Sequence, residues 1–207
     1  MERPCLFHLH YHVPDVEYAA AALSAYGIEP VARFGTADGE SVSLAADETP
    51  PDGFTLRLQT NRGGSADVTL TPGPRLAFDH FGVVVDDVSA VVERARQRDW
   101  GVTETERRTF LVTPWGFRIE LQQATSDLVS ELGDPADCRF TEVILAAPVE
   151  ARDSISRTIR DVVGDVTNFR VAPVRASTAA VREAFVDGAR VENPRFERGV
   201  LAEEASL

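Results

Sequence analysis

Two short stretches of this chain repeat each other and decide its fold: residues 7–15, FHLHYHVPD, and residues 79–87, DHFGVVVDD. In each stretch a histidine stands seven residues before an aspartate, as His8 before Asp15 and His80 before Asp87. The alternation of the residues predicts a strand, and the aspartate is a preferred N-cap for a helix behind it. The repeat therefore predicts a duplicated unit that begins with a strand and continues into a helix.

The helices of the two units are expected to end at matching glycines. Residues 16–26 and 88–100 are rich in helix formers with apolar residues at helical spacing, and they stop before Gly27 and Gly101, which suit a left-handed C-cap. Two weaker strands are predicted behind each helix, at residues 30–34 and 41–45 in the first half and at residues 102–106 and 109–113 in the second.

A second pair of matching segments closes each unit: residues 53–59, GFTLRLQ, and residues 116–122, GFRIELQ. Each half is therefore predicted to be a β-α-β-β-β module. Residues 61–74 contain Gly-Gly and Pro-Gly-Pro, so they are interpreted as a linker that includes at most a short strand at residues 68–70.

From residue 124 onward the repeat ends. Strands are predicted at residues 140–147 and 167–174, and helices at residues 149–163 and 178–185. The predicted fold class is α+β: residues 1–125 hold two βαβββ modules, about residues 5–60 and 76–123, which form an open half-barrel. Residues 138–207 form a small appended α+β segment, either an accessory subdomain or an element that joins a homodimer.

Composition excludes several classes of function. The chain has a net charge of -12, and all 21 of its basic residues are arginine, so it lacks the basic field that binds nucleic acid or anionic lipid. No apolar run is long enough to span a membrane, no secretory signal opens the chain, and the two cysteines have no CxxC spacing, so a cytoplasmic protein is expected. An acidic chain without lysine is typical of halophilic adaptation, although a GC-rich genome also replaces lysine by arginine.

All four histidines lie in the two predicted first strands, at positions 8, 10, 12 and 80. Because side chains alternate along a strand, the first three share one face, while Leu9 and Tyr11 point to the other. The second closing strand sorts in the same way, with Arg118, Glu120 and Gln122 on one face. In the first closing strand, Thr55, Arg57 and Gln59 share one face. Burying so many polar groups without partners costs several kcal/mol, so this polar cup is predicted to be a site.

These motifs, with the turn TPWG at residues 113–116, resemble the vicinal-oxygen-chelate superfamily over about residues 5–123. That superfamily includes glyoxalases, extradiol ring-cleaving dioxygenases and bleomycin-resistance proteins. The resemblance implies metal ligands on the first and closing strands, which here are His8, Arg57, His80 and Glu120. Arg57 has no acceptor lone pair for a metal.

The remaining set of His8, His80 and Glu120 resembles the extradiol dioxygenases, in which open positions receive the vicinal oxygens of a small substrate and dioxygen. A divalent metal is expected, with Fe(II) or Mn(II) favoured and Zn(II) or Ni(II) compatible. His10 is the candidate catalytic base, and Arg57, Arg118 and His12 are candidate substrate-binding residues for a small, possibly anionic molecule.

Two other functions remain open at this point. A metal-free protein could bind a small ligand in the same cup, with Arg57 and Glu120 forming an ion pair across it, and each histidine could be a structural residue. Lyase or isomerase chemistry of the glyoxalase kind would need a base opposite the metal. Because every candidate ligand precedes the appended segment, a chain truncated near Thr125 is expected to remain folded and to bind the metal.

Overall fold

The computed structural model describes residues 4–175, 178–192 and 196 of the chain. Its four helices among these residues are α1 Val16–Ser24, α2 Val88–Arg96, α3 Asp127–Ser130 and α4 Arg152–Val162. Its strands are β1 Cys5–Val13, β2 Glu29–Ala37, β3 Glu40–Ala45, β4 Thr55–Gly63, β5 Ala66–Pro72, β6 Ala77–Val85, β7 Gly101–Glu104, β8 Thr109–Val112, β9 Arg118–Gln123, β10 Phe140–Pro148, β11 Phe169–Val174, β12 Ala180–Val186 and β13 Ala189–Glu192.

The two modules meet inside one chain and form a single nine-stranded sheet in the order β3-β2-β4-β5-β1-β6-β9-β8-β7. The first strands of the modules, β1 and β6, lie antiparallel at its centre, where His10 is opposite His80. The sheet is not closed into a barrel, so the predicted α+β class with an open half-barrel is confirmed.

Both predicted N-caps are present. The carboxylates of Asp15 and Asp87 accept hydrogen bonds from the backbone N–H groups of Tyr18 and Ala90, each at 2.9 Å. The C-terminal ends differ between the modules: Gly27 takes a left-handed conformation with φ 76°, as predicted, whereas the corresponding left-handed residue in the second module is Asp99, with φ 57°, and not Gly101.

The strand that closes the first module is β5 and not the predicted segment 53–59. Strand β5 runs parallel to β1, as β9 runs parallel to β6, whereas segment 53–59 lies in the antiparallel strand β4. The interpretation of residues 61–74 as a linker was therefore wrong. The cause is β3, an extra strand at the outer edge of the first module. The strand that contains GFTLRLQ is therefore the third strand behind the helix but not the last, and β5 follows it and closes the module.

The C-terminal segment folds as a four-stranded sheet in the order β11-β10-β12-β13. Residues 178–185 were predicted as a helix, and this prediction was wrong because strand β12 occupies residues 180–186 and pairs with β10. Its alanine, arginine and glutamate residues favour a helix locally, but Val181, Ala184 and Val186 are buried against the rest of the unit. Tertiary packing therefore overrides the local propensity.

The C-terminal unit shares one hydrophobic core with the large sheet. Phe81 of β6 is fully buried, and its ring lies 5.0 Å from that of Phe169 in β11. Helix α4 buries Ile155, Ile159 and Val162 in the same core. The unit therefore covers apolar surface on the side of the sheet that faces away from the histidines. Among the described helices, none has the length and apolar character that crossing a bilayer requires.

Asn168 joins the two sheets through its buried side chain. Its Oδ1 accepts from the Leu6 backbone N–H at 2.8 Å, and its Nδ2 donates to the carbonyls of Leu6 and Phe140 at 2.7 and 3.0 Å.

Replacing Asn168 by alanine is expected to lower the free energy of unfolding by on the order of 3 kcal/mol, because three buried backbone groups lose their partners. Urea unfolding of the purified variant measures this loss. The neighbouring exposed Thr167, changed to alanine, is the matched control and should cost about 0.5 kcal/mol or less. Equal stability of the two variants would contradict the role of Asn168 as the link between the sheets.

Candidate functional site

Three sequence-predicted residues lie together on the concave face of the large sheet. His8 in β1, His80 in β6 and Glu120 in β9 are 2%, 1% and 1% exposed. The ring centroids of His8 and His80 are 5.2 Å apart, and His80 Nε2 lies 3.3 Å from Glu120 Oε2. The pairing of β1 with β6 and of β6 with β9 sets these positions, so the predicted residues of both modules meet at one site.

Each of these residues has a buried polar atom without a hydrogen-bond partner among the described residues, namely His8 Nε2, His80 Nε2 and Glu120 Oε2. The short contact between His80 and Glu120 therefore lacks the geometry of a hydrogen bond. A buried polar atom left unsatisfied costs about 1–3 kcal/mol, and three at one point need a common explanation. Two imidazole nitrogens and a carboxylate oxygen are a donor set that suits a divalent transition metal.

Glu120 stays a carboxylate at any ordinary pH. Burial alone would raise its pKa, but the contact with His80, the neighbouring His8 and the guanidinium of Arg108 lower the pKa to about 2. Its Oε1 accepts a hydrogen bond from Gln122 Nε2 at 2.8 Å, and Arg108 Nη1 lies 3.5 Å from Oε2. Glu120 therefore offers one free anionic oxygen to the site.

A carboxylate contacts the Nδ1 atom of each of the two candidate ligand histidines, His8 and His80. His8 Nδ1 lies 2.6 Å from Asp67 Oδ2, and His80 Nδ1 lies 3.1 Å from Asp79 Oδ2. Because the Nδ1 atoms are engaged in this way, the Nε2 atoms are the nitrogens available to a ligand. Asp67 was missed from the sequence because it lies in the presumed linker, although the alternation ADVTLT at residues 66–71 indicated a strand.

His10 and His12 extend the site along β1. The ring of His10 lies 4.8 Å from that of His80, and its Nε2 is hydrogen-bonded to Thr71 Oγ1 at 2.8 Å. Burial and the neighbouring imidazoles of His80 and His8 lower the pKa of His10 to about 2, so its imidazole is neutral. His12 stacks on His10 with ring centroids 5.7 Å apart.

His8, His10 and His80 each offer a ligand atom within 4.8 Å of the others. Because the Nδ1 of His10 is also buried without a partner among the described residues, this nitrogen could accept a proton or extend the ligand set.

The two arginines predicted for the cup are placed differently. Arg57 is exposed. The pairing of β2 with β4 shifts register at Arg57, because Phe34 is opposite Leu58 and Gly35 is opposite Leu56, so strict alternation does not assign this side chain to a face. Arg57 lies in β4 and not in the closing strand β5, so it does not hold the position that Glu120 holds in the second module, and its role in substrate binding stays a prediction.

The predicted ion pair between Arg57 and Glu120 does not form across the cup. Arg108, in the turn between β7 and β8, contacts Glu120 instead; it was missed because no periodic pattern marks a turn residue. Arg118 lies on the cup face, as predicted, where it forms an ion pair with Asp79 and stacks over Phe110 at 4.8 Å.

Thr69 holds the position in the first module that Glu120 holds in the second. His10 lies two residues after His8 and is opposite Thr69, just as Gly82 lies two residues after His80 and is opposite Glu120. Thr69 is buried and carries a hydroxyl, which is a much poorer metal ligand than a carboxylate. The two modules therefore supply three strong donor groups in place of a symmetric set of four.

Comparison with known proteins identifies the fold through solved structures. No family model matches the sequence, and no curated protein matches it. A Mn(II)-bound glyoxalase from Novosphingobium aromaticivorans superposes with a TM-score of 0.61 at 12% identity, covering 88% of this chain and 65% of the glyoxalase.

Two dioxygenases give similar agreement. The 2,2',3-trihydroxybiphenyl 1,2-dioxygenase from Sphingomonas wittichii strain RW1 superposes with a TM-score of 0.53 at 17% identity, over 79% of this chain and 57% of the enzyme. The 2,3-dioxygenase LapB from Pseudomonas sp. KL28 superposes with a TM-score of 0.54 at 12% identity, over 88% of this chain and 74% of the enzyme. This chain thus spans only part of the length of the glyoxalase and of both dioxygenases.

Proposed function

Because this chain has the vicinal-oxygen-chelate fold, we propose that it is a metal-dependent enzyme whose His8, His80 and Glu120 hold one divalent ion that binds the vicinal oxygens of a small substrate. The observation that carries this proposal is the set of three buried donor atoms without hydrogen-bond partners among the described residues, which paired strands of both modules contribute. Fe(II) and Mn(II) fit two imidazoles and one carboxylate, and Zn(II) or Ni(II) can occupy the same donors.

Ring-cleaving dioxygenation is the proposed reaction class. With a threonine at the position equivalent to Glu120, three strong ligands leave open positions for a bidentate substrate and dioxygen. When bound, the ion would act as a Lewis acid that stabilises negative charge on a substrate oxygen. The fold itself does not select this chemistry, so the choice rests on the donor set.

Three side chains of the cup have proposed roles toward the substrate. His10 would accept a proton from a substrate hydroxyl at Nδ1, which is buried without a hydrogen-bond partner among the described residues, and Asp79, whose Oδ2 lies 3.6 Å from that nitrogen, would stabilise the resulting charge. Arg118 and Arg108 would hold an anionic group of the substrate at the mouth of the site. His12 would line the same entrance.

Lyase or isomerase chemistry of the glyoxalase kind is the second candidate. The observation that favours it is again the free Nδ1 of His10, because such reactions need a base beside the metal. The absence of a carboxylate at the Thr69 position argues against it.

The ring-cleavage proposal predicts that protein loaded with Fe(II) without oxygen will convert a catechol to a ring-opened product when air is admitted. The conjugated product absorbs at longer wavelengths than the catechol, so a spectrophotometer follows the reaction. His10→Gln should lower the turnover rate by about 100-fold, as expected for removal of a general base, with little change in metal content.

Two results would contradict ring cleavage. Conversion of a hemithioacetal by the loaded protein, without consumption of dioxygen, would establish the glyoxalase-like candidate instead. Failure of the protein to take up Fe(II), Mn(II) or Zn(II) would leave a metal-free binding protein.

A further inference from the structure

The imidazole of His8 contacts the carboxylate of Asp67 inside the site. Both side chains are almost completely enclosed, at 3% and 5% exposure, and the Nδ1 to Oδ2 distance is 2.6 Å. The other carboxylate oxygen, Oδ1, accepts a hydrogen bond from Arg62 Nε at 3.1 Å. Arg62 in turn contacts Glu131 in the connector between the two sheets, at 3.5 Å. Each oxygen of Asp67 therefore has its own partner.

The chemistry of this contact determines where the imidazole proton sits. Asp67 Oδ1 accepts a hydrogen bond from the permanently charged guanidinium of Arg62, and Oδ2 faces His8 Nδ1, so the group is a carboxylate and can only accept. A neutral His8 must then carry its proton on Nδ1. Its Nε2 is left with a free lone pair, and that atom is buried without a partner among the described residues.

We infer that Asp67, oriented by Arg62, is a positioning residue that fixes His8 in the tautomer with a proton on Nδ1 and Nε2 free to bind the metal. The inference rests on the proposed function for the role of Nε2 and extends it to a buried carboxylate in β5. In the second module Asp79 and Arg118 form a similar pair beside His80 Nδ1, which provides an internal comparison.

The substitution Asp67→Asn tests this assignment because Arg62 determines the orientation of the asparagine amide, that is, whether its oxygen or its NH₂ group faces His8. Arg62 Nε donates to one atom of the carboxylate, so the amide oxygen must occupy that position and the amide NH₂ must face His8 Nδ1. An NH₂ donor facing Nδ1 selects the opposite tautomer, with the proton on Nε2. The isosteric variant is therefore expected to block the nitrogen that the metal needs.

Tautomers are read from the ring ¹⁵N shifts of metal-free protein at mildly alkaline pH, with the four histidines assigned by single substitutions. Wild-type His8 should show Nδ1 protonated, and Asp67→Asn should reverse this and weaken Zn(II) binding by roughly 10- to 100-fold. Adding Arg62→Met to Asp67→Asn should restore the wild-type tautomer, because the amide can then turn its oxygen toward His8. Asp79→Asn is the matched control and should leave the His8 signals unchanged.

A proton on Nε2 of His8 in the wild-type protein would overturn the inference, whether or not the variants fold. An Asp67→Asn variant with the wild-type tautomer and a Zn(II) affinity within about twofold of wild type would also overturn it. If the tautomers behave as expected but wild-type protein takes up no metal, the positioning role of Asp67 stands and the proposed function fails.

Discussion

Replacing Glu120 by glutamine is expected to weaken divalent-metal binding by on the order of 100-fold. Loss of a ligand should lower the metal affinity at least as much as loss of a residue that hydrogen-bonds to a ligand. Glu120 is the only anionic member of the proposed ligand set, and its low pKa keeps it charged. The glutamine side chain has nearly the same shape, so the loss reports on the charge. Competition titration of Mn(II) or Zn(II) against a chelating dye measures the dissociation constant.

Arg57→Gln is the matched control for that experiment, because it removes one exposed charge that lies outside the proposed ligand set. Its metal affinity should equal that of wild type. A Glu120→Gln variant that is folded and binds metal as tightly as the Arg57→Gln control would contradict the ligand assignment.

A chain that ends at Thr125 is expected to lose its cooperative fold. The C-terminal unit buries Phe81 of the large sheet against Phe169, and it supplies Ile155, Ile159 and Val162 to the common core. Each fully buried apolar side chain of this size contributes about 1.5–3 kcal/mol. The loss of several such contacts is comparable with the whole stability of a typical domain, about 5–15 kcal/mol.

Circular dichroism during heating tests this expectation, with the full-length chain as the reference. The truncated chain should unfold without a sharp transition and should bind metal weakly, although every proposed ligand is present. A sharp transition together with wild-type metal affinity would show that the C-terminal unit is dispensable, as the sequence alone suggested.

The parts of the fold that local chemistry determines could be predicted from the sequence. The duplicated histidine-to-aspartate spacing located both first strands and both helix N-caps, since an aspartate side chain at that position satisfies an otherwise free backbone N–H. Period-two alternation then put the histidines on one face. Predicting the fold needed only these features and the second closing strand.

The errors arose where non-local pairing decides the structure. The match between GFTLRLQ and GFRIELQ is a real similarity between strands, but nothing in those residues shows that β3 has been added at the sheet edge. Choosing the wrong closing strand put Arg57 at the position equivalent to Glu120 and hid Asp67. Likewise, residues 180–186 contain helix formers, and only pairing with β10 makes them a strand.

The central claim is that one metal ion is held between the two modules, and metal analysis of protein purified without a histidine tag tests it most directly. Wild-type protein should contain, or take up from excess Fe(II), Mn(II) or Zn(II), about one equivalent per chain, whereas a folded His80→Ala, Glu120→Ala double variant should retain almost none, because only one strong proposed ligand remains. Wild-type protein that takes up none of these ions, or a double variant with the same stoichiometry as wild type, would contradict the account.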